Sequence, residues 1–170
     1  MNIFFRKRIL FIVFLFIPIL YLWNPKLFSL MGTGPNWSMF WILPWAMNHG
    51  SIDGLISGVF LGIILDSLNN NIHTQIPGLM LCGFWFGKLG SNQRFKNAIN
   101  YGFLCSVGSF ICGFFYLLQI FFYQYSFIDM HWLNNVIKNI ASQVFLTGLL
   151  APIFCSILVE FLDKRKNKNS

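Results

Sequence analysis

The sequence predicts an all-α polytopic membrane protein with six transmembrane helices. Three observations carry that expectation. The chain of 170 residues is 56% hydrophobic and only 10% charged, against about 25% charged residues in soluble domains. Its few charges stand apart from long apolar runs, as in a chain that crosses a bilayer repeatedly. The basic residues gather at Arg6-Lys7-Arg8, at Lys88, Arg94 and Lys96, and at Lys164-Arg165-Lys166 with Lys168. Each cluster abuts an apolar segment, the distribution of cytoplasmic loops and tails under the positive-inside rule. A net charge of +7 so placed argues against nucleic acid and for anionic lipid heads, at about 1 kcal/mol per basic residue. Six helices leave no length for a soluble domain, so residues 1–170 read as one membrane domain.

The first helix is expected at 9–28. Its apolar run Ile9–Trp23 follows a basic cluster, like a secretory leader, but Asn24-Pro25-Lys26 comes next where a small-residue cleavage site would stand. It reads as an uncleaved helix entering from the cytoplasm, with Pro18 as a kink. The breaker run Gly32-Thr33-Gly34-Pro35-Asn36 precedes the second segment, 37–48. At 1.5 Å per residue that segment reaches about 18 Å, short of the ~30 Å hydrocarbon core. A short tilted crossing and a re-entrant segment both fit. The third helix is expected at 51–68 and the fourth at 72–87, interrupted by Pro77-Gly78. A basic polar loop, 88–98, leads to full-length helices at 99–122 and 139–162. A basic tail, 163–170, follows and is expected to fray.

Parity ties these segments together. The N-terminus, the 88–98 loop and the tail all belong on the cytoplasmic side, which requires an even number of crossings before residue 88 and two after it. Six crossings satisfy this; five would strand the Lys88–Lys96 cluster outside. The same topology puts Trp23, Trp37 and Trp132 near the outer surface, as an aromatic belt. Trp37, Trp41 and Trp45 also form one ridge of the second helix. The ridge reads as core or lipid packing, with a ligand wall or a counterpart to the glycines below as the other reading.

Within the third segment Gly50, Gly54, Gly58, Gly62 and Asp66 stand four apart. Residues at that spacing form one ridge of a helix. Four glycines cost about 1 kcal/mol each against alanine in water, so the bare groove is expected to receive another helix, either internal or a partner's. Asp53 fits the first turn of that helix, where a carboxylate favours the dipole. Asp66 lies near the other end, where the dipole disfavours it. It is expected to need Lys26, Lys138, His73, His131 or the N–H groups opening the next helix.

The chemistry-bearing residues form no catalytic, cofactor or metal pattern. Cys82, Cys105, Cys112 and Cys155 lie in apolar segments without zinc or redox spacing, and read as small packers. His49, His73 and His131 have no metal spacing. Asp53 and Asp66 lie about 20 Å apart along one helix, too far for a carboxylate pair.

The run His49-Gly50, Asp53-Gly54-Leu55, Gly58, Gly62, Asp66-Ser67-Leu68 and then Gly78, with Pro35 and Trp37 opening the second segment, resembles MreD, the small membrane protein of the bacterial rod-shape (elongation) system. The resemblance covers most of the chain and is most specific between residues 35 and 80. It implies a non-enzymatic scaffold or regulatory subunit in the bacterial cytoplasmic membrane. Such a subunit controls cell shape and lateral peptidoglycan synthesis by binding the single-span protein MreC. Through MreC it meets the elongation peptidoglycan synthase and, indirectly, MreB filaments. It also implies a fold resembling the six-helix substrate-binding subunits of energy-coupling-factor vitamin transporters. Those subunits dock through small residues on their first helix, whereas Ile9–Trp23 is rich in Phe, Ile and Leu. The alternative function is a small-molecule, vitamin-like binding subunit of a transporter. It requires an outward cavity near Trp37, Asp66, His73 and Trp132.

Overall fold

A computed structural model describes residues 32–68, 74–90, 98–123 and 130–167. These fold into five helices: α1 Trp37–His49, α2 Ser51–Leu68, α3 Ile76–Leu89, α4 Ala98–Tyr123 and α5 Met130–Asn167. The segment at 9–28 and His73 lie outside the described residues. Three helices contain stretches long and apolar enough to cross a bilayer: Ser51–Leu68, Ile99–Phe122 and Leu133–Glu160. The other two, α1 with 13 residues and α3 with 14, reach only about 20 Å.

Two boundaries differ from the expectation for physical reasons. The fourth segment, placed at 72–87, becomes helical only at Ile76, with Pro77 in the first turn. Proline there gives up an N–H that has no helical partner anyway, so it starts the helix instead of interrupting it. The sixth, placed at 139–162, runs from Met130 to Asn167. Residues 130–138 are mixed in polarity and carry no breaker, so the helix outlasts its apolar stretch, and the tail placed at 163–170 is helical as far as Asn167.

The short helix α1 sits at the centre. Every residue from Trp37 to Met47 is buried, and a helix apolar all round belongs inside a protein. It contacts each of the other four helices. Leu61 and Leu65 of α2, Leu79 and Phe86 of α3, Leu104 of α4 and Ala151 of α5 complete the core. The tryptophan ridge faces that core: Trp37, Trp41 and Trp45 are 7%, 4% and 3% exposed. Trp41 stacks on Trp45, and Trp45 on His49, while Trp37 meets Phe40 and Phe154 edge-on. Trp37 is therefore a core residue and not part of a lipid-facing belt.

The long helices turn large apolar side chains outward: Ile52, Ile56, Phe60 and Ile63 on α2, Phe103, Phe110 and Phe114 on α4, Phe145, Leu149, Ile153 and Ile157 on α5. Apolar stripes of this extent are costly in water and ordinary in lipid.

Candidate functional site

The bundle has two unlike ends. At the first, α1 and α2 are joined by the single residue Gly50, whose φ of 102° is a conformation that glycine alone adopts cheaply. Its N–H closes α1 on the Ala46 carbonyl at 2.9 Å. Gly50 is thus a turn and not a rung of the glycine ridge.

The other rungs are occupied by α3 of the same chain, which runs antiparallel to α2. A Cβ on Gly54 would strike the Gly83 carbonyl oxygen and lie 2.8 Å from Ala46 Cβ; one on Gly83 would strike the Gly54 carbonyl oxygen. A Cβ on Gly58 would meet the Leu79 carbonyl, and one on Gly62 the Ile76 Cα at 2.8 Å. Gly87 abuts Gly50 and Ser51, and Gly90 abuts Met47. Backbone meets backbone along the whole pair, the close approach that small residues permit. The receiving glycines, Gly83, Gly87 and Gly90, were not singled out from the sequence. Their spacing of four and three in the next apolar segment is the signal that pairs them with Gly50 and Gly54.

At the opposite end, polar side chains from the three long helices fix the openings of the two short ones. Asp66 of α2 accepts the Gln75 N–H on Oδ1 at 2.9 Å. Gln75 is the residue before α3 and brings no side-chain cap of its own, so Asp66 caps α3 from a neighbouring helix. Of the partners expected for Asp66, the one found among the described residues is the backbone N–H opening the next helix; Lys26, His73 and the side chain of His131 lie outside them. Its Oδ2 is buried and takes no hydrogen bond among the described residues. Gln119 of α4 clamps Thr74 from both sides, accepting its N–H at 2.7 Å and donating to its carbonyl at 2.8 Å. From α5, Thr147 Oγ1 accepts the Asn36 N–H at 3.0 Å, and Ser142 Oγ shares a hydrogen bond with Thr33 Oγ1 at 2.6 Å. Without these groups the first N–H groups of α1 and α3 would have no partner in an apolar medium.

Between those two openings lies a cavity of about 400 Å³, within the range of small-molecule sites. The opening of α1 contributes Thr33, Asn36 and Trp37; the α3 opening contributes Thr74, Gln75 and Gly78. Phe115 and Tyr116 of α4 and Asn139, Ile140 and Gln143 of α5 close it. Its described lining carries no charged side chain. Of the residues expected around an outward cavity, Trp37 borders it and Asp66 stands one hydrogen bond behind Gln75. His73 and the side chain of Trp132 lie outside the described residues. Asn36, Gln75, Asn139 and Gln143 were missed in the sequence, although amides in or beside apolar segments are the signal to look for.

The thiols pack as expected of small core residues. All four are free, and Cys105 Sγ lies 3.8 Å from Cys155 Sγ. Among the described residues no group of His, Cys, Asp and Glu is placed to hold a metal ion. No family model matches the chain, and comparison with curated proteins and with solved structures finds no match.

Proposed function

We propose that this chain is a non-enzymatic scaffold or regulatory subunit of the bacterial rod system, MreD-like, which binds the transmembrane helix of MreC. In this reading it is a six-crossing protein of the cytoplasmic membrane with both termini inside, built like the substrate-binding subunits of energy-coupling-factor transporters. Through MreC it acts on cell shape and lateral peptidoglycan synthesis. What supports the reading is the role of the residues that carry the resemblance. Gly54, Gly58 and Gly62 lock α2 to α3, Gly50 joins α1 to α2, and Asp66 caps α3. Gly50, Gly54, Gly58, Gly62 and Asp66 therefore hold three helices together, as a docking platform in a fluid bilayer requires.

Because α3 fills the glycine groove, the partner helix is assigned to the outward stripe of α2, where Ile56 and Phe60 are each 56% exposed. Co-purification of MreC with the Ile56→Ala/Phe60→Ala variant tests this. Loss of MreC with unchanged thermal unfolding is the expected result; undiminished MreC would refute the α2 stripe as its site.

A second reading, small-molecule binding, is favoured by one observation, the uncharged polar cavity between the openings of α1 and α3. Native mass spectrometry of protein carried from membranes into lipid nanodiscs tests it. A bound mass lost on Gln143→Leu would support a ligand in this cavity.

A further inference from the structure

We propose that the cavity takes an uncharged sugar-type group, a ring bearing several hydroxyls. The inference rests on the ligand-binding reading above and names the chemistry of its ligand.

The lining decides the charge first. No charged side chain stands among its described residues, and a charge without a counter-charge is costly in a low-dielectric site. The two helix openings would attract an anion, but their groups are already engaged. Asp66 Oδ1 holds the Gln75 N–H, and Thr147 holds the Asn36 N–H. A cation would face the positive ends of two helix dipoles with no carboxylate in the described lining to receive it. Neutral ligands remain.

The free hydrogen-bonding groups decide the rest. The side chains of Gln75, Asn139 and Gln143, and the Nδ2 of Asn36, have no partner among the described residues, although all four line the cavity. A carboxamide both donates and accepts. A ligand made only of donors or only of acceptors would leave half of that capacity unpaired, at the cost of each unpaired group on desolvation. Hydroxyls do both, and a sugar ring places several of them in a small volume. Its C–H face also suits the rings of Phe115 and Tyr116 in the same wall.

The ring has two possible sources, solution or the head of a membrane glycolipid. Ile140 lies over Gly113, its Cγ2 2.5 Å from where a Cβ would stand. It lines the polar cavity and also an apolar groove with Phe110, Leu117, Ile137 and Leu149. The two spaces are thus neighbours separated by one side chain, and an acyl chain attached to a head in the cavity would have to pass Ile140 to reach the groove.

The test uses the full chain in phosphatidylcholine nanodiscs free of glycosidic detergent, read by saturation-transfer NMR. Four probes share one ring: methyl β-glucoside, octyl β-glucoside below its micelle concentration, glucosamine and glucuronate. The neutral glucosides are expected to bind, with each charged analogue weaker by roughly tenfold or more. Binding of the octyl glucoside alone supports a glycolipid head; equal binding of methyl and octyl glucosides supports a free sugar. The Asn139→Leu/Gln143→Leu variant is expected to lose binding by roughly tenfold per carboxamide removed. If that variant fails to fold, Gln143→Glu keeps the size, adds a charge and is expected to weaken glucoside binding similarly. Charged analogues that bind as well as neutral ones, or variants that bind unchanged, would overturn the proposal. If no sugar binds while native mass spectrometry still finds a bound molecule sensitive to Gln143→Leu, the sugar assignment falls and the ligand reading stands. If neither is found, both fall.

Discussion

At the Gly50 end of the bundle α1, α2 and α3 meet backbone to backbone, whereas at the Asp66 end polar side chains of the long helices reach the openings of α1 and α3. The first junction uses glycines: Gly54 on Gly83, Gly87 on Gly50, Gly90 on Met47. The second uses Asp66, Gln119, Ser142 and Thr147 to satisfy the openings of α1 and α3, and it leaves a cavity between them. The contrast follows from where the short helices begin. A helix opening has N–H groups to satisfy and cannot be closed by glycine. Helix flanks have no spare donors, and there close approach gains dispersion contacts without exposing a polar group. One end is therefore built to be rigid, while the other has polar side chains to spare.

The sharpest way to break this comparison is to add a single methyl at the tight end. Gly54→Ala places a Cβ against the Gly83 carbonyl and is expected to cost about 3 kcal/mol, the upper part of the overpacking range. Unfolding of the purified protein in detergent by titrated dodecyl sulfate measures it. A change within error would mean that α2 and α3 are not locked there. At the other end, Asp66→Ala strips the cap from α3 and is expected to cost about 1–2 kcal/mol, with Asp66→Asn recovering part of it because an amide oxygen still accepts the Gln75 N–H. The same titration reads both variants, and equal losses for Ala and Asn would show that the cap is not the cause. Gln119→Leu removes two hydrogen bonds to Thr74 and is expected to cost about 1 kcal/mol. Amide exchange at Thr74 should rise with it. Smallest of all, Asn139→Leu is expected to fall within about 0.5 kcal/mol of the parent, because its side chain bonds nothing described. A large loss of thermal stability would mean that the cavity wall is structural.

Much of this was readable from residue patterns, though unevenly. Apolar runs located the helices, since a segment such as Ile99–Phe122 has no other stable state in lipid. The four-residue glycine spacing announced a close contact. Other features were hidden by the way periodicity works. Asp66 carried four charged or ionisable side chains and the N–H groups of the next helix as alternatives, and only packing selects the backbone N–H of Gln75. Trp37 looked like a belt residue because its distance along the chain from Trp41 and Trp45 says nothing about which side of α1 meets lipid; α1 has no such side. The cavity was the least legible feature. Asn36, Gln75, Asn139 and Gln143 come from three separate stretches, and only packing brings them to one wall.

By itself, then, the chain determined its apolar, bilayer-suited character, the approximate position of the described helices, and which helix face is bare of side chains. Composition, apolar length and spacing are local properties, and the solvent acts on them locally. Only the tertiary structure decided who fills the glycine ridge, what caps α3 and where open space remains. Each of those is a relation between two elements: the α2 ridge fits any small-residue stripe, and the antiparallel register that sets Gly54 on Gly83 and Gly87 on Gly50 is what selected α3. That register in turn carries the Gln75 N–H to Asp66, at the end where the cavity lies between the openings of α1 and α3.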